Sequence, residues 1–382
     1  MHSYSATDLN NQFIQQEAGE AFDMGFLSKD SNEKIKKAYP CKLYTPNFFI
    51  RIALSFLCIV CITFAAALFF LIAYSSSDNI ITGVLFFIFT ICYGLLEYFV
   101  KRKKYYNAGI DNTLQVFTII FFAGIFFNNS SNQDIWICIT ILIPAIWLCV
   151  RFTDSFMALV AYIAFITFVC LLCKHAGEIY ILYSPFIIMI MSALLYKIQR
   201  SLKAKSEFSF YDKCFNMLRI ATLSGIYISC NVYVVTQLSN SIFPENIIVG
   251  KTYFITLFIL NLIIPMVYIL YGFLKNKIIF LRIGFPALVA TVVTIFYFYP
   301  FVSGEIWFIV GGCIMIIAGY TGMRFFKNNK FGFTANSYAS LNKELISAEG
   351  LITVQSAYKN IPAKGIQFGG GSSGGAGASG NW

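Results

Sequence analysis

The side chains of this chain best placed for chemistry are polar groups set inside long apolar runs. Asn216, Ser224, Tyr227 and Asn231 share one run, and at 100° per residue they fall within an arc of about 80°. Asn261 sits in the middle of the next run, four residues before Pro265. Facing one another, these five groups have two uses. They can line a polar crevice for a small solute, or they can hydrogen-bond between helices and hold them together. The second use needs only one good partner each and is the favoured expectation.

A second constellation is ionic. Glu97 lies one turn before the end of an apolar run, and Arg219 and Arg282 each lie about one turn inside another. Ionisable groups at such depth are costly, so each is a functional candidate. The structural expectation is a Glu97–Lys101 pair at i,i+4 with both arginines reaching back to the interface. The functional one is an intramembrane ion pair of Glu97 with Arg219 or Arg282.

Other chemistries lack their residues. The histidines are His2 and His175, and His175 with Glu178 is too few ligands for a metal. No G-x-x-x-x-G-K-[ST] phosphate loop occurs. Cys58-x-x-Cys61 and Cys170-x-x-Cys173 have redox spacing but lie in apolar runs, where cysteine acts as a small hydrophobe. The expectation is therefore a protein that is not an enzyme and needs no cofactor. A net charge of +10 raises nucleic-acid binding, but no groove-reading motif accompanies it.

These residues are carried by a chain built for lipid. Of 382 residues, 58% are hydrophobic and 12% charged, against about 25% charged in soluble domains. Mean hydropathy is +0.70. Crossing the hydrocarbon core takes about 20 mostly apolar residues. Ten stretches come close, the shorter of them near the lower limit: Arg51–Tyr74, Ile80–Val100, Ile110–Phe127, Ile135–Val150, Ser155–Cys173, Ile179–Tyr196, Cys214–Leu238, Tyr253–Leu274, Ile278–Tyr299 and Ile306–Phe325. The expected fold is an all-α integral membrane protein with about ten transmembrane helices. Pro144, Pro185, Pro265 and Pro286 should kink four of them. Ten spans also invite a five-plus-five repeat, in which Pro144 and Pro286 correspond.

Basic residues orient the bundle. One set of connections holds Lys101, Arg102, Lys103, Lys104, Arg151, Lys197, Arg200, Lys203, Lys205, Lys213, Lys275, Lys277, Arg324, Lys327 and Lys330, fifteen in all. The alternate set holds two, Lys174 and Lys251. Short cytoplasmic loops carry the Lys/Arg excess. Both termini are therefore expected in the cytoplasm, with the lipid bilayer as the principal partner.

Three regions follow. Residues 1–47 read as a cytoplasmic helical hairpin, with Gly25 ending its first helix and Asp30–Glu33 as a capping box opening its second. No cleavable leader is expected there. Residues 48–326 are the transmembrane domain. Residues 327–382 form a cytoplasmic tail, Gly/Ser-rich and disordered from 369, with one short helix near Leu341–Ala348. The two tails are the natural contact surfaces for a protein partner.

The hairpin, the stretch KRKKYYNAGID at 101–111, NVYVVTQL at 231–238 and the Phe368–Trp382 ending together resemble a family of bacterial multi-spanning membrane proteins known as domains of unknown function. The resemblance implies a bacterial inner-membrane location and transfers no catalytic residue. The leading expectation is a non-enzymatic structural or partner-binding component. The alternative is a small-solute transporter or exporter that uses the polar face of spans seven and eight.

Overall fold

The structure is a computed structural model that describes residues 3–23, 27–73, 78–127, 133–204, 210–242 and 251–298, with single positions 312, 316, 320 and 324. Among the described residues, the regular elements are α-helices: α1 (Ala6–Asp23), α2 (Lys29–Ala38), α3 (Phe48–Ala73), α4 (Asp78–Lys101), α5 (Ile110–Phe127), α6 (Gln133–Phe152), α7 (Ser155–Ala176), α8 (Glu178–Lys203), α9 (Asp212–Cys230), α10 (Val232–Ile242), α11 (Lys251–Leu274) and α12 (Ile278–Phe298).

Seven of them, α3, α4, α6, α7, α8, α11 and α12, are long and apolar enough to cross a membrane. Their outer faces expose large hydrophobic side chains, among them Phe56, Phe64 and Leu71 of α3. Water would not tolerate so continuous an apolar surface, and the pattern suits a multi-pass membrane protein. Helix α5 is shorter but equally apolar. The seventh expected span departs from the sequence reading. It is two helices, α9 and α10, bent by 75° at Asn231. The tenth span, the Leu341–Ala348 helix, the tail and Gly25 lie outside the described residues, apart from the four single positions.

The prolines at 144, 185, 265 and 286 all sit inside helices, in α6, α8, α11 and α12. Helices α3, α4 and α5 pack mutually, and α5 then meets α6; α7, α8 and α9 pack mutually, and α9 then meets α11. The α6–α7 and α11–α12 connections each hold one residue with positive φ, Thr153 at 52° and Asn276 at 51°.

Gly225 lets α7 and α9 approach. A Cβ there would overlap the Tyr162 hydroxyl, which hydrogen-bonds Ser192 of α8 at 2.9 Å. The three helices thus meet around one buried hydroxyl pair.

The N-terminal hairpin lies on the end of the bundle that carries the α4–α5 and α6–α7 connections. Its two helices are tied by Asn11 to the Pro40 carbonyl at 2.8 Å and Gln15 to the Tyr39 carbonyl at 2.6 Å. The second helix is not opened by Asp30–Glu33. Its N-cap is Ser28, whose hydroxyl accepts from Ser31 N. A hydroxyl on extended backbone reaches that amide, and Asp30 already lies within the first turn. Beyond the hairpin, Tyr44 pairs with Tyr105 in a single parallel bridge, through Tyr44 N to the Lys104 carbonyl (2.8 Å) and Tyr106 N to the Tyr44 carbonyl (3.1 Å).

Candidate functional site

The polar face expected on spans seven and eight divides in two. Tyr227, Asn231 and Asn261 come together at the α9–α10 break, joined there by Thr291 and Thr294 of α12. The Asn231 Nδ2 group lies 3.0 Å from the Tyr227 hydroxyl, 3.1 Å from Thr294 Oγ1 and 3.4 Å from Asn261 Oδ1. Its Oδ1 accepts from the Thr294 hydroxyl at 3.3 Å and from Val234 N at 3.2 Å. The Tyr227 hydroxyl pairs with Thr291 at 3.0 Å, and Thr291 donates to the Asn261 carbonyl. All five side chains are buried.

One residue therefore makes both the break and the knot. Asn231 has extended backbone, φ −70° and ψ 115°, and caps α10 with its own side chain. A chain broken inside an apolar bundle must find partners for the freed backbone groups. Here Asn231 N donates to the Ile228 carbonyl and Val234 N to Asn231 Oδ1, while α11 and α12 hold the Asn231 side chain. Asn261 Nδ2 alone in this knot has no hydrogen-bond partner among the described residues.

The other two members of the expected crevice lie elsewhere. Asn216 sits at the opposite end of α9, where its Oδ1 accepts from Lys203 at 3.0 Å beside the Lys203–Asp212 ion pair at 2.6 Å. Ser224 is half-buried and makes no hydrogen bond to the knot. Of the two ionic expectations, the Glu97–Lys101 pair forms and the pair with Arg219 or Arg282 is corrected. Glu97 is held by Arg151 of α6 at 2.7 Å and by Lys101 at 2.8 Å, not by Arg219 or Arg282. The end of α6 comes to the end of α4 over α5, which packs against both. Arg219 instead faces a cavity between α8, α9 and the α11–α12 connection.

A second buried polar site escaped the sequence reading. Asp111 in the first turn of α5 and Asp154 before α7 are both buried, 2% and 5% exposed. The Asp111 carboxylate accepts from Ala108 N at 2.8 Å, which pins the loop before α5. Asp154 caps α7, accepting from Phe156 N at 2.7 Å. Gln115, one turn after Asp111 and 1% exposed, lies against Asp154. Tyr4 closes the site from above. Its hydroxyl donates to the Tyr105 carbonyl at 3.0 Å, its ring meets Tyr106 edge-on at 5.2 Å, and Ser3 N donates to the Arg151 carbonyl at 3.1 Å. An ion pair from Lys104 to Asp8 at 3.5 Å fastens the same segment.

No cation contributes to the balance at Asp154. Burial, reinforced by the negative Asp111, raises it from the ordinary 3.8 to about 6, against the pull of the Phe156 and Met157 amides and Gln115. Buried like charges resist joint ionisation. Among the described residues, Asp154 Oδ2 and Gln115 Oε1 are buried without hydrogen-bond partners. The site can thus take up and release a proton near pH 6. Among the described residues, no group of three or more His, Cys, Asp or Glu side chains could hold a metal.

A pH dependence follows, with a definite sign. Because the folded value is raised, the folded state binds more protons than the unfolded chain between about pH 4 and 6. Stability should therefore fall as pH rises through that window. Asp154→Asn keeps a competent N-cap and removes the charge, so its unfolding midpoint should be flatter between pH 4 and 6 and higher than wild type at pH 7. Thermal unfolding of the purified protein across that range measures it. A variant curve parallel to the wild type would refute the assignment.

Comparison with protein-family models, curated proteins and solved structures finds no match to the chain.

Proposed function

We propose that the chain is a ten-span protein of the bacterial inner membrane with both termini in the cytoplasm, and that it is a non-enzymatic component that binds a protein partner through its cytoplasmic tails. The observation that carries this reading is the closure of the Asn231 knot. A solute site needs polar groups left open to the solute, and every bonding position of Asn231 is occupied by the protein itself. On the proposed orientation the basic connections, the hairpin and the Tyr4 seal all lie on the cytoplasmic side. That side is thus a folded platform rather than a set of loose loops.

Removing residues 327–382 should abolish co-purification of the partner while the spanning domain still inserts. If every co-purifying protein survives the deletion, the partner-binding reading fails.

The transport reading keeps two observations in its favour. Broken spans are the usual places where transporters bind solute, and the α9–α10 pair is bent by 75°. The Asn261 amide nitrogen also has no hydrogen-bond partner among the described residues. Asn231→Leu and Asn261→Leu proteins that insert normally but lose solute flux would support it.

A further inference from the structure

The cavity at Arg219 is a site of its own. It has a volume of about 240 Å³ and is lined by Arg200 of α8, Arg219 of α9, Lys277 before α12, Tyr196, Tyr271 and Asn276. Among the described residues no carboxylate lines it. Among the described residues, none of its three cations is ion-paired, in contrast to Lys101, Lys104, Arg151 and Lys203.

The walls are built to hold this shape. Phe280 forms the floor, with its ring 4.7 Å from Tyr271, 6.2 Å from Tyr196 and 5.7 Å from Tyr268. Tyr268 in turn donates to the Leu223 carbonyl of α9 at 3.0 Å. Asn276 takes a left-handed turn at φ 51°, and Lys277 N donates to the Gly272 carbonyl at 3.0 Å, which fixes where Lys277 leaves the backbone. Gly272 permits the turn to pack, since a Cβ there would crowd Leu281 at 2.8 Å.

Arg219 is half-buried while Arg200 and Lys277 are exposed, and three like charges gathered at one cavity raise the local potential for an anion. A bound anion offsets that potential. Two guanidinium groups and an ammonium, with tyrosine hydroxyls and an amide beside them, match the tetrahedral oxygens of a phosphate group. We propose that this cavity binds a phosphate group, presented either by the headgroup of an anionic phospholipid or by a small soluble phosphate. Basic pockets between helices at the cytoplasmic boundary commonly hold lipid headgroups, and the exposed Ile278 beside the cavity gives an acyl chain an apolar path.

The test is thermal unfolding of the purified full-length protein. One arm adds vesicles of phosphatidylglycerol, with phosphatidylcholine as the neutral comparison. The other adds inorganic phosphate or glycerol 3-phosphate at constant ionic strength. The comparison proteins are Arg219→Gln/Lys277→Gln, and Arg102→Gln/Lys103→Gln, which removes two exposed cations from another connection. Wild type should be stabilised by phosphatidylglycerol or by the soluble phosphates, and which arm responds identifies the source. Affinity should drop about fivefold for each cation removed from the cavity and stay unchanged in the Arg102/Lys103 protein. Should the cavity variant misfold, Arg219→Lys, which keeps the charge, should retain most of the response. Equal responses in wild type and both variants, equal losses in both variants, or no response to any phosphate would overturn the site.

Discussion

Replacing Gly109 with valine should destabilise the protein by about 3 kcal/mol, the largest loss expected from any single substitution near the buried acids. Gly109 has φ +96°, a conformation that costs an L-residue about 1–2 kcal/mol. Space is a second penalty. A Cβ at this position would overlap the Arg51 carbonyl oxygen and the Ser55 hydroxyl of α3. The carbonyl belongs to helix backbone and cannot swing aside, so α3 and the start of α5 must separate. Overpacking of that kind adds about 1–3 kcal/mol. The damage would spread to the acid site. Gly109 lies between Ala108, whose amide holds Asp111, and the first turn of α5, where Thr113 N donates to the Gly109 carbonyl at 3.0 Å. Gly109→Val should thus show a lower unfolding midpoint together with a weakened pH response between pH 4 and 6. Gly109→Ala should fall between it and wild type, because it carries the same backbone cost with fewer atoms to place. A valine protein as stable as wild type would mean that α3 and α5 are not packed as described.

Hydropathy made most of the bundle legible. The third span was expected over Ile110–Phe127, and α5 has those bounds. Long apolar runs leave little freedom, because a chain in lipid must satisfy its backbone within each helix. The same averaging hid the break. Val232, Val234 and Val235 keep the window apolar through Asn231, so the run reads as one helix while the chain turns by 75°. What decides the turn is a single asparagine whose partners come from α11 and α12, far away in sequence.

The sites show a similar division. Tyr227, Asn231 and Asn261 were readable because amides and phenols stand out against leucine and phenylalanine. Thr291 and Thr294 were not, since a threonine in an apolar helix often bonds only its own preceding turn, as Thr63 and Thr90 do here. Asn216 shared the right arc but not the right depth. Angular position on a helix says nothing about height, and Asn216 is just over four turns from Asn231 at 3.6 residues per turn. Glu97 was matched rightly to Lys101 one turn on, but its cross-helix partner is Arg151 rather than Arg219 or Arg282, because that depends on which helices are neighbours. Asp154 escaped because a two-residue connection, Thr153–Asp154, reads as an ordinary cap. The usable signal was Asp111 with Gln115 at i,i+4, two polar groups on one face at the start of an apolar helix.

Asn231→Leu is the second large effect, and it separates the two roles of the knot. Leucine would leave Asn261 Oδ1 and Val234 N without their partners, while the Thr294 hydroxyl keeps the Ala290 carbonyl at 2.9 Å. Interhelical hydrogen bonds in membranes average about 0.6 kcal/mol each, while a buried group left unpaired costs about 1–3 kcal/mol. The expected loss is about 3 kcal/mol, read as a lower thermal midpoint of the purified protein. Asn261→Leu should be far milder, about 1 kcal/mol. Its side chain makes one long contact, 3.4 Å from Asn231, and its amide nitrogen bonds nothing, so burying an apolar group there removes a desolvated donor as well as a weak bond. A structural knot thus ranks Asn231 well above Asn261 in stability. A solute site reverses the ranking in flux, because the open Asn261 donor is the group a solute would reach. If Asn231→Leu proved as stable as wild type, the knot would hold nothing together, and the break in the seventh span would need a different cause.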